Sequence, residues 1–228
     1  MKPLAPTALS SAEEPLYWRR HQAMLGLIGA LAIIDIVWLA FFTDLRIGLG
    51  GLALRLGIAG AIGLVAAYYG ISGRSARLCA TLLCVAGLMG LEIFATIFNY
   101  LAIRIGFPFA DASFARWSDA LGIGWLDYNT FIMSRPWLAI SLHILYLSSV
   151  VQILLAVLAL GFTGRLAALL EIVVVLSVTS VVTVVVGAML PGLGAHHFYG
   201  IPDQGAAGFV PAIVASHDRT MTLLDMDK

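Results

Sequence analysis

The sequence predicts an all-α fold: a polytopic membrane helix bundle with about five transmembrane helices plus short interfacial helices. Composition is the first ground, since 61% of the 228 residues are apolar and only 11% charged, against about a quarter charged in a soluble domain. Run length is the second. Five apolar stretches each reach the roughly twenty residues that cross a ~30 Å hydrocarbon core. The third is the Gly, Pro and Arg punctuation between them, which marks helix ends.

Residues 1–21 read as an N-terminal tail that includes Glu13 and Glu14. The apolar run behind it is too long for the core of a signal peptide, so the first hydrophobic segment stays as a span. The bundle occupies 22–190, with spans at 22–42, 51–71, 79–103, 137–161 and 168–190. The last of these, "IVVVLSVTSVVTVVVGAML", has a strand-like composition. A lone strand in lipid would leave its backbone groups unpaired, so a helix is expected there too. "GISGRSAR" and "GFTGR" are short turns, whereas 104–136 is a long interfacial helical loop. Within it Phe114, Trp117 and Leu121 recur at helical spacing, Asp111 or Ser113 can cap the start and Gly122 suits the end. Trp117 and Trp125 are expected at headgroup level. Pro136 opens the fourth span, where its missing N–H costs nothing. Residues 191–228 form a C-terminal amphipathic interfacial segment, with a helix expected from Pro211 through Leu224.

Thirteen basic residues balance thirteen acidic ones without a basic block, which excludes nucleic acid as a partner and leaves membrane lipids. Arg19, Arg20, Arg74 and Arg77 flank spans on the N-terminal side of the membrane and favour a cytoplasmic N-terminus, while Arg46 and Arg55 oppose it. Five spans then put the long third connection and the C-terminal segment on the outer face. The Arg-heavy, Ala-, Leu- and Gly-rich composition reads as that of a GC-rich bacterium, and so as a bacterial inner-membrane protein. Cys79 and Cys84, five apart in an apolar run, read as small packing residues. Gly57 with Ala61, Ala59 with Gly63 and Ala86 with Gly90 have the spacing that lets helices approach closely.

Ionisable residues inside spans are expensive, roughly 2.5 to 3.5 kcal/mol each, so each needs a reason. Asp35 and Glu92 lie thirteen residues into the first and third spans and His143 six residues into the fourth. At 1.5 Å per residue all three fall about 20 Å above the inner boundary. Glu92, Thr96 and Asn99 form a polar stripe at i, i+4, i+7. Either these groups are a buried hydrogen-bond network that fixes helix register, or they floor an outward-facing headgroup site; both readings stay open. Glu171, near the inner end of the fifth span and close to Arg165, is expected to snorkel. His196 and His197 point apart on a helix and zinc would need two further ligands, so neither a metal nor any other cofactor is expected. Imidazoles beside an interfacial phosphate are the more economical idea, with Arg135 and Arg219 as guanidinium partners or as anchors to anionic lipid.

From about Phe114 onward, "DALGIGWLDYNTFIMSRPWLAISLHILYLSSVVQILLAVLALGFTGR" and then "MLPGLGAHHFYGIPDQGAAGFVPAIVASHDRTMTLLDMDK" carry a familiar pattern. A Tyr146-containing span precedes a Gly-Arg turn, a fifth span ends in Leu190-Pro191, and a closing segment holds Asp218-Arg219 and Leu224-Asp225. This half of the chain resembles the bacterial inositolphosphotransferase-like branch of the type-2 phosphatidic acid phosphatase superfamily, which is similar to inositol phosphorylceramide synthases. The resemblance implies a six-span enzyme acting on a phospholipid or inositol-lipid substrate. It implies a histidine nucleophile, a second histidine as acid and base, and an acidic partner. In that family a Phe-Pro-Ser-aromatic-His segment follows a helix like 222–228, and this sequence ends before it. Of the superfamily's other motif, Lys followed after six residues by Arg-Pro, Arg135-Pro136 fits but Tyr128 stands in place of the lysine. The catalytic residues are therefore unassigned, and the chain is expected to be inactive by itself. A non-catalytic multispan subunit or scaffold is the alternative, and a transporter a weaker one, since no internal repeat is visible.

Overall fold

The computed structural model describes residues 14–201 and 209–226. Among them the chain runs α1 (Glu14–Phe41), β1 (Arg46–Ile47), α2 (Leu49–Ile71), α3 (Ala76–Ile103), α4 (Asp111–Ala120), α5 (Trp125–Met133), α6 (Pro136–Phe162), α7 (Leu166–Met189), α8 (Ala195–Phe198), α9 (Phe209–His217) and β2 (Leu223–Leu224). Helices α1, α2, α3, α6 and α7 are long and apolar enough to cross a membrane, over Arg19–Phe41, Leu49–Ile71, Ala76–Ile103, Pro136–Phe162 and Leu166–Met189. At 1.5 Å per residue they span about 35 to 42 Å, more than the hydrocarbon core requires. The valine-rich α7 is helical, as the backbone argument requires. α3 starts three residues before the apolar run does, because Ser75 Oγ accepts the Leu78 N–H and caps the first turn.

The described residues fall into two compact units, one made of 1–101, 154–184 and 222–228, the other of 102–153 and 185–221. In the first, Met24, Ala80, Cys84, Val157, Leu169 and Val173 form a buried apolar core drawn from α1, α3, α6 and α7. Cys84 is fully buried in it and both cysteines are free thiols, in keeping with a packing role. The close approaches are made by glycines the spacing argument did not select. A Cβ at Gly87 would meet the Met24 thioether, and one at Gly161 would overlap the Thr81 side chain. Gly57 and Gly63, by contrast, face open space among the described residues, so these glycines of α2 make no close helix contact there.

The C-terminal stretch returns to this unit as a strand. β2 pairs in parallel with β1, Arg46 opposite Leu223 and Ile47 opposite Leu224, and Gly48 N–H donates to the Leu224 carbonyl at 2.8 Å. The helix expected through Leu224 instead ends at His217. The chain turns through a left-handed Arg219 (φ 60°). That turn is held by hydrogen bonds no local periodicity encodes: Arg104 Nη1 donates to the Met221 carbonyl at 2.7 Å and Arg219 Nε to the Arg104 carbonyl at 3.1 Å.

The second unit holds α4, α5, α8 and α9 with the adjoining ends of the long helices. α4 is the short helix expected from Phe114, Trp117 and Leu121, and Gly122 (φ 73°) closes it. Asp111 does not cap it; no side chain does. α5 is a separate nine-residue helix joined to α6 by Ser134 and Arg135, and Pro136 is the first residue of α6.

Candidate functional site

The intramembrane polar residues find individual surroundings. Asp35 is buried in α1, with neither carboxylate oxygen hydrogen-bonded among the described residues. Glu92 is paired with Arg55, whose Nη1 reaches Oε1 at 2.7 Å while Nη2 donates to the Met226 carbonyl at 2.7 Å. Arg55 thus ties α2 to α3 and to the C-terminal strand region. The sequence carries a signal for it: a guanidinium inside the second span needs a counter-charge as much as Glu92 does. His143 is exposed on α6. Glu171 pairs with Arg20 at 3.5 Å, and Arg20 also donates to the Ala167 carbonyl, so the partner comes from α1 and not from nearby Arg165.

Of the headgroup candidates, Arg135 folds back on the end of α5, the helix that precedes it. Its Nη1 donates to the Phe131 carbonyl at 2.9 Å and its guanidinium lies 3.8 Å from the Phe131 ring centre. Arg219 serves the turn described above. His197 is exposed, while the His196 ring meets the edge of Trp125 at 5.0 Å. No group of three or more His, Cys, Asp and Glu among the described residues is placed to hold a metal.

His196 adjoins a cavity of about 450 Å³ whose lining includes Asp111, Phe114, Trp125, Gly192, Phe198 and Tyr199. Two sets of hydrogen bonds build it. Ala110 N–H donates to the Pro191 carbonyl at 2.7 Å. The Asp111 carboxylate accepts the Leu193 N–H on both oxygens and the Gly194 N–H on Oδ1, each at 3.0 Å. Gly194 (φ 91°, ψ 154°) occupies a region of backbone space open essentially to glycine alone. Gly192 leaves room for the carboxylate, since a Cβ there would lie 3.2 Å from Asp111 Oδ1. Among the lining residues Trp125 and Tyr199 stack, with ring centres 5.3 Å apart and planes 4° from parallel. Sequence reasoning had Asp111 in the wrong role. Its partners lie 82 and 83 residues away, beyond any local signal.

The segment before Asp111 is held from a second side by His217 at the end of α9. His217 Nε2 lies 2.9 Å from the Phe107 carbonyl, Nδ1 lies 2.8 Å from Asp218 Oδ1, and the ring stacks on Phe109 at 4.2 Å. Both neighbours are acceptors, so only the doubly protonated imidazolium satisfies both nitrogens. The hydrogen bond to Asp218 accordingly raises the His217 pKa above its ordinary value, assisted by the Phe107 carbonyl and opposed by partial burial.

No curated protein and no solved structure matches the chain. A family model described as the PAP2 superfamily does match, over residues 112–225, the half that holds α4 to α9 and all of the cavity lining except Asp111. With five membrane-spanning helices around that match, this multi-pass membrane protein belongs to the PAP2 superfamily.

Proposed function

We propose that the chain is a lipid-phosphate-handling membrane protein of the inositolphosphotransferase-like branch. It works at the face of a bacterial inner membrane with its N-terminus cytoplasmic, and its substrate is a phospholipid or inositol lipid. The observation that carries this reading is the family match over 112–225, which spans the helices that build the aromatic cavity. Residues 1–228 contain no Phe-Pro-Ser-aromatic-His segment. His217 is held between two acceptors, His143 is exposed on a membrane-spanning helix and His196 packs on Trp125. In this reading residues 1–228 recognise lipid without turning it over.

The test is to reconstitute the 228-residue chain in vesicles carrying fluorescent phosphatidic acid or phosphatidylinositol. Phosphate release and headgroup transfer are expected to equal those of protein-free vesicles, while the labelled lipids cosediment with the protein. Turnover that disappears in His196→Ala or His197→Ala would place a catalytic histidine within these residues and overturn the inactive reading. Absence of cosedimentation would favour a non-catalytic scaffold.

A further inference from the structure

We infer that the cavity walled by α4, α5 and α8 receives the ammonium group of a zwitterionic lipid headgroup, with Asp111 as its counter-ion. Of the described residues that line it, Asp111 is the only charged one, and no Lys or Arg is among them. The three N–H contacts hold the carboxylate in place and occupy part of its acceptor capacity, but they do not remove its formal charge. A free phosphate would meet that fixed anion with no Lys or Arg among the described lining residues. An alkyl chain would desolvate the carboxylate without compensation. A cation with an apolar periphery answers both features, since ammonium groups are attracted to carboxylates and to aromatic faces, and Trp is the best of these. Phe114, Trp125, Phe198 and Tyr199 supply the aromatic walls.

The volume, about 450 Å³, lies within the range of small-molecule sites and holds more than an ammonium alone. Position argues for a lipid source. α4 and α5 form the connection between two membrane-spanning helices, and only Ser134 and Arg135 separate α5 from α6. This inference goes beyond the phosphotransferase reading and holds whether or not these residues turn lipid over.

The probe is a set of dihexanoyl phospholipids titrated into the full chain in maltoside, followed by tryptophan fluorescence. Choline and ethanolamine headgroups are expected to bind about tenfold more tightly than glycerol. Asp111→Asn, which keeps an acceptor oxygen for the loop, should abolish that preference. Should Asp111→Asn fail to fold, Trp125→Leu must weaken ammonium lipids selectively. Free choline and tetramethylammonium form the second arm. If they bind as tightly as the lipids, the ligand is a soluble ammonium compound and the lipid source is wrong. Equal binding of phosphatidylglycerol, or binding of inorganic phosphate with no ammonium preference, overturns the inference.

Discussion

His217 and Arg55 are the residues at which charge most directly holds the chain in shape, and each can be tested alone. His217 as imidazolium joins the Phe107 carbonyl to Asp218, with Arg219 and Arg104 as the neighbouring charges on the segments packed there. Its folded-state pKa is raised above the unfolded value. The stabilisation is therefore complete below the ordinary histidine range and is lost as pH rises through the folded pKa. The thermal stability of the wild type relative to His217→Gln should fall as pH rises from about 6.5 through the raised folded-state pKa, and a parallel pH profile for the two would refute the clamp. Arg55 is the counter-charge to Glu92 on α3. Removing one member of such a pair leaves a lone charge inside a span, at a cost of roughly 2 to 3 kcal/mol. Arg55→Leu should lower the melting temperature more than the double variant Arg55→Leu with Glu92→Leu does.

At the scale of elements, the long helices were legible because crossing a bilayer is a local demand on length and hydropathy. Every expected span corresponds to a helix in the structure, with ends displaced by a few residues where a side chain such as Ser75 supplies a cap. The short elements were less legible. α5 carries Leu126, Tyr128, Phe131 and Met133 exposed and no buried face, so it has no clear apolar stripe for periodicity to detect. The C-terminal stretch shows the opposite error, an amphipathic pattern that the fold converts into a turn and a strand. Helix packing supplies a sharper test. Gly161 lies on α6 where the Thr81 side chain of α3 fills the space a Cβ would need. Gly161→Ala should therefore overpack this contact and cost about 1 to 3 kcal/mol. Thr81→Ala in the same chain should recover part of the loss, measured by thermal unfolding in detergent. Gly57→Ala on α2, with open space around it, serves as the silent control.

For the whole molecule, the β1–β2 pairing and the span count agree. Four membrane-spanning helices lie between Arg46 and Leu223, and an even number of crossings returns the chain to the face it left. A variant with Cys79 and Cys84 replaced by alanine and with Arg46→Cys and Leu223→Cys should form a disulfide on mild oxidation, seen as a shift on non-reducing gels. With the proposed cytoplasmic N-terminus, a membrane-impermeant maleimide should label Arg46→Cys in intact cells and leave Arg74→Cys unlabelled.

The sequence alone yields an all-α chain with five helices long and apolar enough to cross a membrane and a short helix before the fourth of them, and its second half carried the superfamily resemblance. Those properties rest on composition, run length and short-range pattern, which each segment holds independently of the others. Only the tertiary structure decided that Asp111 serves the loop at 193–194, that Glu92 answers to Arg55 and that the C-terminal stretch pairs with Arg46–Ile47. Each of those links joins groups far apart along the chain, and a polar group buried near lipid takes whichever partner the packed helices bring within reach.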